Sequence, residues 1–133
     1  MERAQMKTIN PAAVAAPGGP YHHGLLLDVP GRWLFVSGQV PLAADGSIPD
    51  GIADQTEMVW NQIEAILADG GMALSNLVKI TSFLTRSQDI GEYAGIRKRR
   101  LGEARPTSTL LVVSALANPK FLVEVEGIAF APA

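Results

Sequence analysis

The sequence predicts an α+β fold in which one mixed β-sheet carries two helices on one face. Five segments have the composition or alternation of strands, two have a helical period, and their order is β-β-α-β-α-β-β. The length of 133 residues, with 47% hydrophobic and 18% charged residues, is typical of one folded domain with its own core. We therefore expect a single domain spanning residues 1–133.

The first part of the chain predicts an ordered loop followed by a β-hairpin. Residues 10–20 are rich in Ala, Pro and Gly, a composition typical of loops and turns. Residues 25–29 and 33–40 are rich in aliphatic, aromatic and β-branched side chains, which favours two strands. Pro30-Gly31 lies between them, so the two segments are expected to pair through a tight turn.

The next segment changes to a helical period at Ile52. The apolar face expected to reach the core consists of Ile52, Thr56, Val59, Ile63 and Ile66 or Leu67. Asp50 is the predicted N-cap, and Gly70-Gly71 is the predicted stop.

The second half of the chain predicts a strand, a helix and two further strands. The third strand covers residues 77–85. Ser87 is expected to cap a second helix that ends before Pro106. Its apolar stripe is formed by Ile90, Tyr93, Ile96 and Leu101. The last two strands are predicted over residues 107–116 and 121–131.

The final strand contains two carboxylates at alternate positions. Side chains alternate between the faces of a strand, so Glu124 and Glu126 point to one side and their apolar neighbours to the other. Carboxylates are rarely buried without a partner. Two interpretations remain open from the strand alone: a solvated sheet face or the lining of a cleft.

The sheet face away from the two helices has no segment of this chain left to cover it. The fourth strand is nevertheless apolar on both faces, as in Leu110-Leu111-Val112-Val113. Self-association through that face is the simplest expectation.

The composition excludes several function classes. With no cysteine, the chain has neither a disulfide framework nor a zinc–cysteine site. The net charge of −2 provides no overall attraction to nucleic acid or an anionic membrane. No apolar run approaches the roughly 18 residues of a membrane span, and no signal-peptide pattern is found. A cytoplasmic location is expected.

Six segments in order resemble the reactive intermediate deaminase family, called RidA or YjgF and also labelled endoribonuclease L-PSP. The segments are Gly19-Pro20-Tyr21, residues 34–41, Gln55-Thr56, residues 78–85, residues 106–109 and residues 123–129. The resemblance implies a chorismate-mutase-like fold and a homotrimer with a ligand cleft at each subunit interface. It also implies hydrolysis of reactive enamines and imines to a keto acid and ammonia, with no metal or organic cofactor.

The resemblance assigns roles to individual residues. Glu124 matches the glutamate that, with a water molecule, delivers the hydrolytic attack, and Tyr21 matches the aromatic residue that closes one side of the cleft. These two are the predicted catalytic residues. Ser37 matches a serine that lines the cleft.

The substrate-binding arginine of the family is missing from its expected position. Ser108 stands there, in Pro106-Thr107-Ser108-Thr109. Arg105 lies three residues earlier, about 10 Å away and on the opposite face of an extended strand, so it could substitute only through a bend at Pro106. Ser108 and Arg105 are both kept as candidate substrate-binding residues. Ser108 offers one neutral hydrogen bond, which suits an amide, carbamate, carbonyl or ring nitrogen better than a carboxylate.

Two further features have alternative interpretations. His22 and His23 could bind a metal only in a turn and with carboxylates, and no metal site is predicted; His22 is instead a candidate proton donor and substrate-binding residue beside Tyr21. The basic run at residues 97–100 could bind nucleic acid, but helical spacing spreads its charges and favours cations at a helix C-terminus.

Three functional hypotheses follow. The first is a trimeric hydrolase of a small imine, enamine or related C–N compound. The second is a non-catalytic protein that binds small metabolites in the same cleft. The third and weakest is RNA binding or cleavage. The predicted partners are a small molecule and further copies of the chain, with no membrane and no nucleic acid.

Overall fold

The computed structural model describes residues 6–133, and its main feature is a four-stranded mixed sheet beside two helices. Residues 1–5 lie outside the described part. The predicted domain and the segment searched for a signal peptide both include them. The elements are β1 (Met6–Ile9), β2 (Gly24–Leu27), β3 (Gly31–Gln39), α1 (Ile52–Asp69), β4 (Leu77–Leu84), α2 (Ile90–Leu101), β5 (Thr107–Val112) and β6 (Val123–Pro132). Short 3₁₀ turns at Leu74–Asn76 and Ser87–Asp89 precede β4 and α2.

The main sheet has the strand order β3-β6-β4-β5. β6 is antiparallel to both of its neighbours, whereas β4 and β5 are parallel and are connected through α2. The predicted α+β class with one mixed sheet is confirmed. No described helix is long and apolar enough to cross a bilayer.

The core lies between the helices and one face of this sheet. On α1, Val59, Ile63 and Leu67 are at most 1% exposed, as the helical period predicts, and Trp60, which was not assigned to that face, is completely buried as well. From the sheet, the hydrophobic residues at 0% exposure are Ile80, Leu84, Val123, Val125 and Ala129. α2 closes the layer with Tyr93 and Leu101, while Ile90 at the other end of the predicted stripe is exposed.

The predicted hairpin between residues 25–29 and 33–40, the segments of β2 and β3, is wrong. β2 pairs with β1, with Met6 opposite Leu27, and β3 pairs with β6 along most of its length. A two-residue hairpin turn needs positive φ, and Gly31 does not adopt it. Pro30 also has a fixed φ and no N–H. β1, which the sequence did not predict, takes the place that we expected β3 to occupy.

The boundaries of α1 match the prediction, but its N-cap does not. α1 begins at Ile52 and ends before Gly70-Gly71, which confirms the predicted stop. Gly51, not Asp50, is the N-cap, and no side chain caps this end.

The ends of α2 and β5 also differ from prediction. Ser87 starts a 3₁₀ turn rather than capping α2. α2 ends at Leu101 and is capped by Gly102, whose positive φ of 58° favours glycine, four residues before Pro106. β5 ends at Val112, short of the predicted Leu116, because its pairing with β4 stops there.

Gln55 fixes the segment that leads into β6. Its side-chain amide donates to the carbonyls of Pro49 and Lys120, each at 2.9 Å, and its carbonyl accepts from the Leu122 N–H at 2.8 Å. Gln55 is 2% exposed, so these bonds satisfy polar groups that burial would otherwise leave unpaired. The start of β6 is thereby tied to α1.

Candidate active site

A β-bulge interrupts the pairing of β3 with β6 on the sheet face away from the helices, here called the open face. The strands pair regularly as far as Val36, and the register shifts before Gln39. Ser37 and Gly38 therefore oppose one residue of β6, Glu126. Bulges of this kind redirect side chains and are common beside active sites.

Glu124 lies on the open face of β6, opposite Phe83 of β4. Its side chain is half-buried and its carboxylate lies against the backbone of Gly38. A Cβ atom added at Gly38 would overlap that carboxylate. The bulge and the missing side chain together provide the space in which Glu124 sits.

The surroundings of Glu124 favour its neutral form. Burial raises the pKa of the carboxyl group, and the negative charge of Glu126 raises it further. Within residues 6–133, no hydrogen bond or ion pair to Glu124 offsets these effects. A carboxylate whose pKa is raised in this way is a stronger base than an ordinary carboxylate, which suits it to accept and return a proton.

The remaining polar side chains of the open face lie beside the carboxylate pair. Ser37, Lys79, Thr81 and Glu126 line a cavity of about 220 Å³ whose apolar walls include Phe35 and Ile128. Thr81 is directly opposite Glu126 across β4 and β6, and Lys79 is opposite Ile128. Below, the sheet group means Ser37, Lys79, Thr81, Glu124 and Glu126.

Tyr21 lies in the loop before β2, away from these residues. Its hydroxyl accepts a hydrogen bond from the Gly18 N–H at 3.3 Å, and its ring meets the ring of His23 edge-on, with centroids 5.8 Å apart. The half-buried ring is thus held by its own loop.

The two histidines serve different parts of this loop. The Nε2–H of His23 donates to the carbonyl of Ala15 at 2.6 Å, so His23 fastens the loop. His22 accepts a bond from the Asn10 side chain at Nδ1, 2.9 Å, and lines a second cavity, of about 260 Å³, with Glu103 and Arg105. The backbone N–H of His22 donates to the carbonyl of Pro106 at 3.3 Å, which joins the loop to the start of β5.

Arg105 and Ser108 complete this second region. Arg105 donates from Nη1 to the carbonyls of Gly102 and Ala104, both at 2.8 Å. Ser108 is half-buried and pairs with Ile80, whose side chain faces the helices. Below, the loop group means Tyr21, His22, Arg105 and Ser108.

One chain does not bring the two groups together. Directly paired residues point to the same face of a sheet, so Ser108 points to the helix side with Ile80, and Glu124 points to the open face with Phe83. The candidate residues of the sequence therefore divide into two half-sites on opposite faces of the sheet.

Sequence reasoning missed two components of these half-sites. Gly38 was seen only as part of a strand, although a glycine inside a strand is itself a signal for a bulge or a close approach. The charges of residues 97–100 were seen only as spread around a helix, and which of them faces which neighbour depends on packing.

Comparison with known proteins places the chain in a family. The family model described as Endoribonuclease L-PSP, the family also called RidA or YjgF, matches residues 12–131. The chain belongs to this family. The family resemblance inferred from six sequence segments is thereby confirmed.

Curated relatives of this RidA-family chain include proteins from archaea and animals. A RutC family protein of Pyrococcus abyssi is 35% identical over 116 residues, which cover 86% of this chain and 88% of the relative. The 2-iminobutanoate/2-iminopropanoate deaminase of Bos taurus is 31% identical and covers 92% of this chain and 88% of the relative.

Solved structures of RidA-family proteins share the fold. The Rid-family protein YyfB of Yersinia pestis superposes with a TM-score of 0.83 at 23% identity, covering 94% of this chain and 98% of that one. E. coli TdcF with bound serine superposes with a TM-score of 0.71 at 27% identity, again covering 94% and 98%.

Proposed function

We propose that this RidA-family chain is a hydrolase of C=N bonds in small reactive imines or enamines, with Glu124 as its general acid–base. The main support for the proposal is the carboxyl group of Glu124. This group is half-buried, has no hydrogen-bond or ion-pair partner within residues 6–133, and lies against Gly38 at the bulge. The family supplies the reaction type, since a relative that is 31% identical is a 2-iminobutanoate/2-iminopropanoate deaminase.

The proposed reaction uses water as its only co-reactant. A water molecule adds to the carbon of the C=N bond while Glu124 accepts one of its protons. Glu124 then returns the proton to nitrogen, which gives a carbinolamine. Glu124 next takes the proton of the new hydroxyl group and passes it to nitrogen, the C–N bond breaks, and ammonia leaves with the carbonyl product. The raised pKa of Glu124 makes its carboxylate a stronger base than an ordinary one, which favours the transfer of protons from water to nitrogen.

We also propose that the working site forms between chains of a homotrimer. Two observations support an assembly: the half-sites lie on opposite faces of one sheet, and the open face exposes large apolar side chains. Phe35 is 70% exposed and Trp33 51% exposed, which is unfavourable for a face left in water. A cytoplasmic location belongs to the same proposal and rests on the sequence.

Ser108 limits the choice of substrate. A serine hydroxyl cannot provide the bidentate, charge-assisted contact that an arginine makes with a carboxylate. Ser108 itself would therefore contact a neutral part of the substrate. An imine or enamine without a carboxylate at that position fits better than a 2-imino acid.

The first experiment measures ammonia release from freshly generated 2-iminobutanoate and from an imine that lacks the carboxylate. The variants are Glu124→Gln, Ser108→Arg and, as a matched loss of one exposed carboxylate, Glu92→Gln. We expect turnover by wild type and by Glu92→Gln, and at least a hundredfold loss in Glu124→Gln. Ser108→Arg should shift preference toward 2-iminobutanoate.

Full activity in Glu124→Gln would refute the assignment of the base. Absence of turnover on both substrates would favour the second candidate function, a binder of small metabolites. The serine bound to TdcF is the observation in favour of that candidate, because it shows a small amino acid held by a RidA-family protein. Under that function, Glu124→Gln would change affinity alone.

A further inference from the structure

The basic run of α2 divides into two pairs with different surroundings. Arg99 and Arg100 both contact the carboxylate of Glu57 on α1, and Arg100 also reaches Glu64 at 3.2 Å. Two of the four charges therefore join α2 to α1 through ion pairs. Arg97 and Lys98 lie elsewhere on the helix.

Arg97 and Lys98 line a cavity of about 450 Å³ between α2 and the loop at residues 18–20. Arg105 lines the same cavity from the segment before β5. No acidic residue contributes to its lining, and within residues 6–133 none of the three cations forms an ion pair. This feature, the basic pocket, therefore concentrates three positive charges on a chain whose net charge is −2.

Arg97 is held in place without an acceptor for its hydrogen bonds. Its guanidinium carbon lies 5.6 Å from the ring centre of Tyr93, a fully buried residue bonded to Ser82. The Arg97 Nε is buried and has no partner among the described residues. A buried donor without an acceptor is costly, and no hydrogen bond from the rest of the Arg97 guanidinium is found within residues 6–133. Because Arg97 lines the pocket, an oxyanion there would supply an acceptor to this guanidinium.

Glycines keep this pocket open beside Tyr21. Added Cβ atoms at Gly18 and Gly95 would meet nothing within 4 Å, so the loop and the helix leave empty space between them. A Cβ built at Gly19 would lie 3.6 Å from the Tyr21 ring and 4.0 Å from Nη2 of Arg97. The aromatic ring and the guanidinium therefore flank the same glycine.

We propose that the basic pocket binds an oxyanion, the carboxylate or phosphate group of a small metabolite. As far as it concerns the substrate of the hydrolase, this inference rests on the proposed function. In that case Arg97 supplies from α2 the positive charge that Ser108 does not supply from β5, and the acidic group of the substrate is held beside Tyr21. The cavity volume lies within the usual range for small-molecule sites.

The test is a binding titration of the whole chain at constant ionic strength, with inorganic phosphate and with pyruvate as separate probes. Calorimetry gives the dissociation constant, and amide chemical shifts give the location. We expect saturable binding of at least one probe, with shifts confined to residues 18–21 and 94–98. The two probes distinguish a phosphate site from a carboxylate site.

Matched variants separate a built pocket from general attraction. Arg97→Gln should weaken binding at least tenfold, and Arg99→Gln, which removes the same charge two residues away, should change it less than twofold. Lys98→Gln, at an exposed position that leaves the Tyr93 contact intact, should weaken it severalfold and serves if Arg97→Gln fails to fold. Equal losses in Arg97→Gln and Arg99→Gln, or no saturable binding by wild type, would overturn the inference.

Glu124→Gln distinguishes failure of this inference from failure of the proposed function. Glu124 is on the open face, outside the basic pocket, so its variant should bind the probe as tightly as wild type. Intact binding without turnover in wild type would refute the hydrolase and support the pocket. Turnover by wild type without anion binding would support the hydrolase and refute the basic pocket.

Discussion

The two faces of the main sheet are made by the same four strands, yet they have opposite characters. On the helix side, Ile80, Val123 and Val125 are completely buried. On the open face, their strand neighbours Lys79 and Glu126 are exposed, and Glu124 is half-buried. Adjacent residues of one strand thus belong to different regions, one to the hydrophobic core and the next to the candidate active site.

This difference shows that the open face is neither a second core nor an ordinary solvated surface. A solvated face would consist of polar side chains throughout, whereas this one mixes carboxylates with Trp33 and Phe35. A second core would not contain unpaired or exposed charged side chains such as Glu124, Glu126 and Lys79. The mixture is typical of a surface that is partly covered by another chain and partly left as a cleft.

The largest effect is expected from placing a charge on the open face. Phe35→Asp puts a carboxylate where we propose that chains meet, and it should convert trimer to monomer. Light scattering coupled to size-exclusion chromatography measures the mass. Val14→Asp, at a loop position that is 48% exposed, is the control and should remain trimeric. A monomeric wild type would contradict the interface model.

A cavity on the helix-covered face should be the next largest effect. Ile80→Ala removes a completely buried side chain and should lower the free energy of unfolding by about 2–5 kcal/mol. Its exposed neighbour Lys79 provides the comparison, because Lys79→Ala should change this value by no more than about 0.5 kcal/mol. Urea denaturation measures both, and similar losses would mean that the faces do not differ as described.

A methyl group at the bulge should reduce activity without removing any catalytic atom. Gly38→Ala places a Cβ on the Glu124 carboxylate, so the carboxylate must move, and kcat/KM should fall by about tenfold or more. Gly91→Ala, where the added atom meets nothing within 4 Å, should leave kcat/KM unchanged. A Gly38→Ala variant with normal kinetics would show that activity does not require the position of the Glu124 carboxylate against Gly38.

The smallest expected effect is a shift in pH dependence. The charge of Glu126 is the second cause of the raised pKa of Glu124, after burial. Glu126→Gln removes that charge, so the pKa of Glu124 should fall. Because the ionised form acts as the base, the acidic limb of the kcat/KM profile should move to lower pH. A shift to higher pH would contradict the assignment.

The alternation of the strands was predictable because it is local. The sequence correctly separated Glu124 and Glu126 from their buried neighbours Val123 and Val125, and it placed α1 within one residue of its true start. The pairing of β2 was not predictable, since β1 and β3 are both plausible partners and the choice depends on β6. Sheet partners are decided by the whole fold rather than by adjacent residues.

The division of the candidate site between two sheet faces could not be predicted, because it depends on how separate strands pair. The sequence identifies Ser108 and Glu124 as polar positions on strands, but their relative faces depend on the registers of β5 with β4 and of β4 with β6. The environment of Arg97 likewise requires the packing of α2 against the loop at residues 18–20. Residue types were predictable from the sequence, and their neighbours were not.

The central position of β6 has a consequence for how the chain acquires its structure. β6 is the last strand along the chain, and it pairs with both β3 and β4. Until β6 has been synthesised, β3 has no partner in the main sheet, and the sheet face of the core is incomplete. Such long-range pairing slows folding and prolongs the exposure of unpaired strand edges. We therefore expect the nascent chain to remain dependent on protection from aggregation until β6 has emerged.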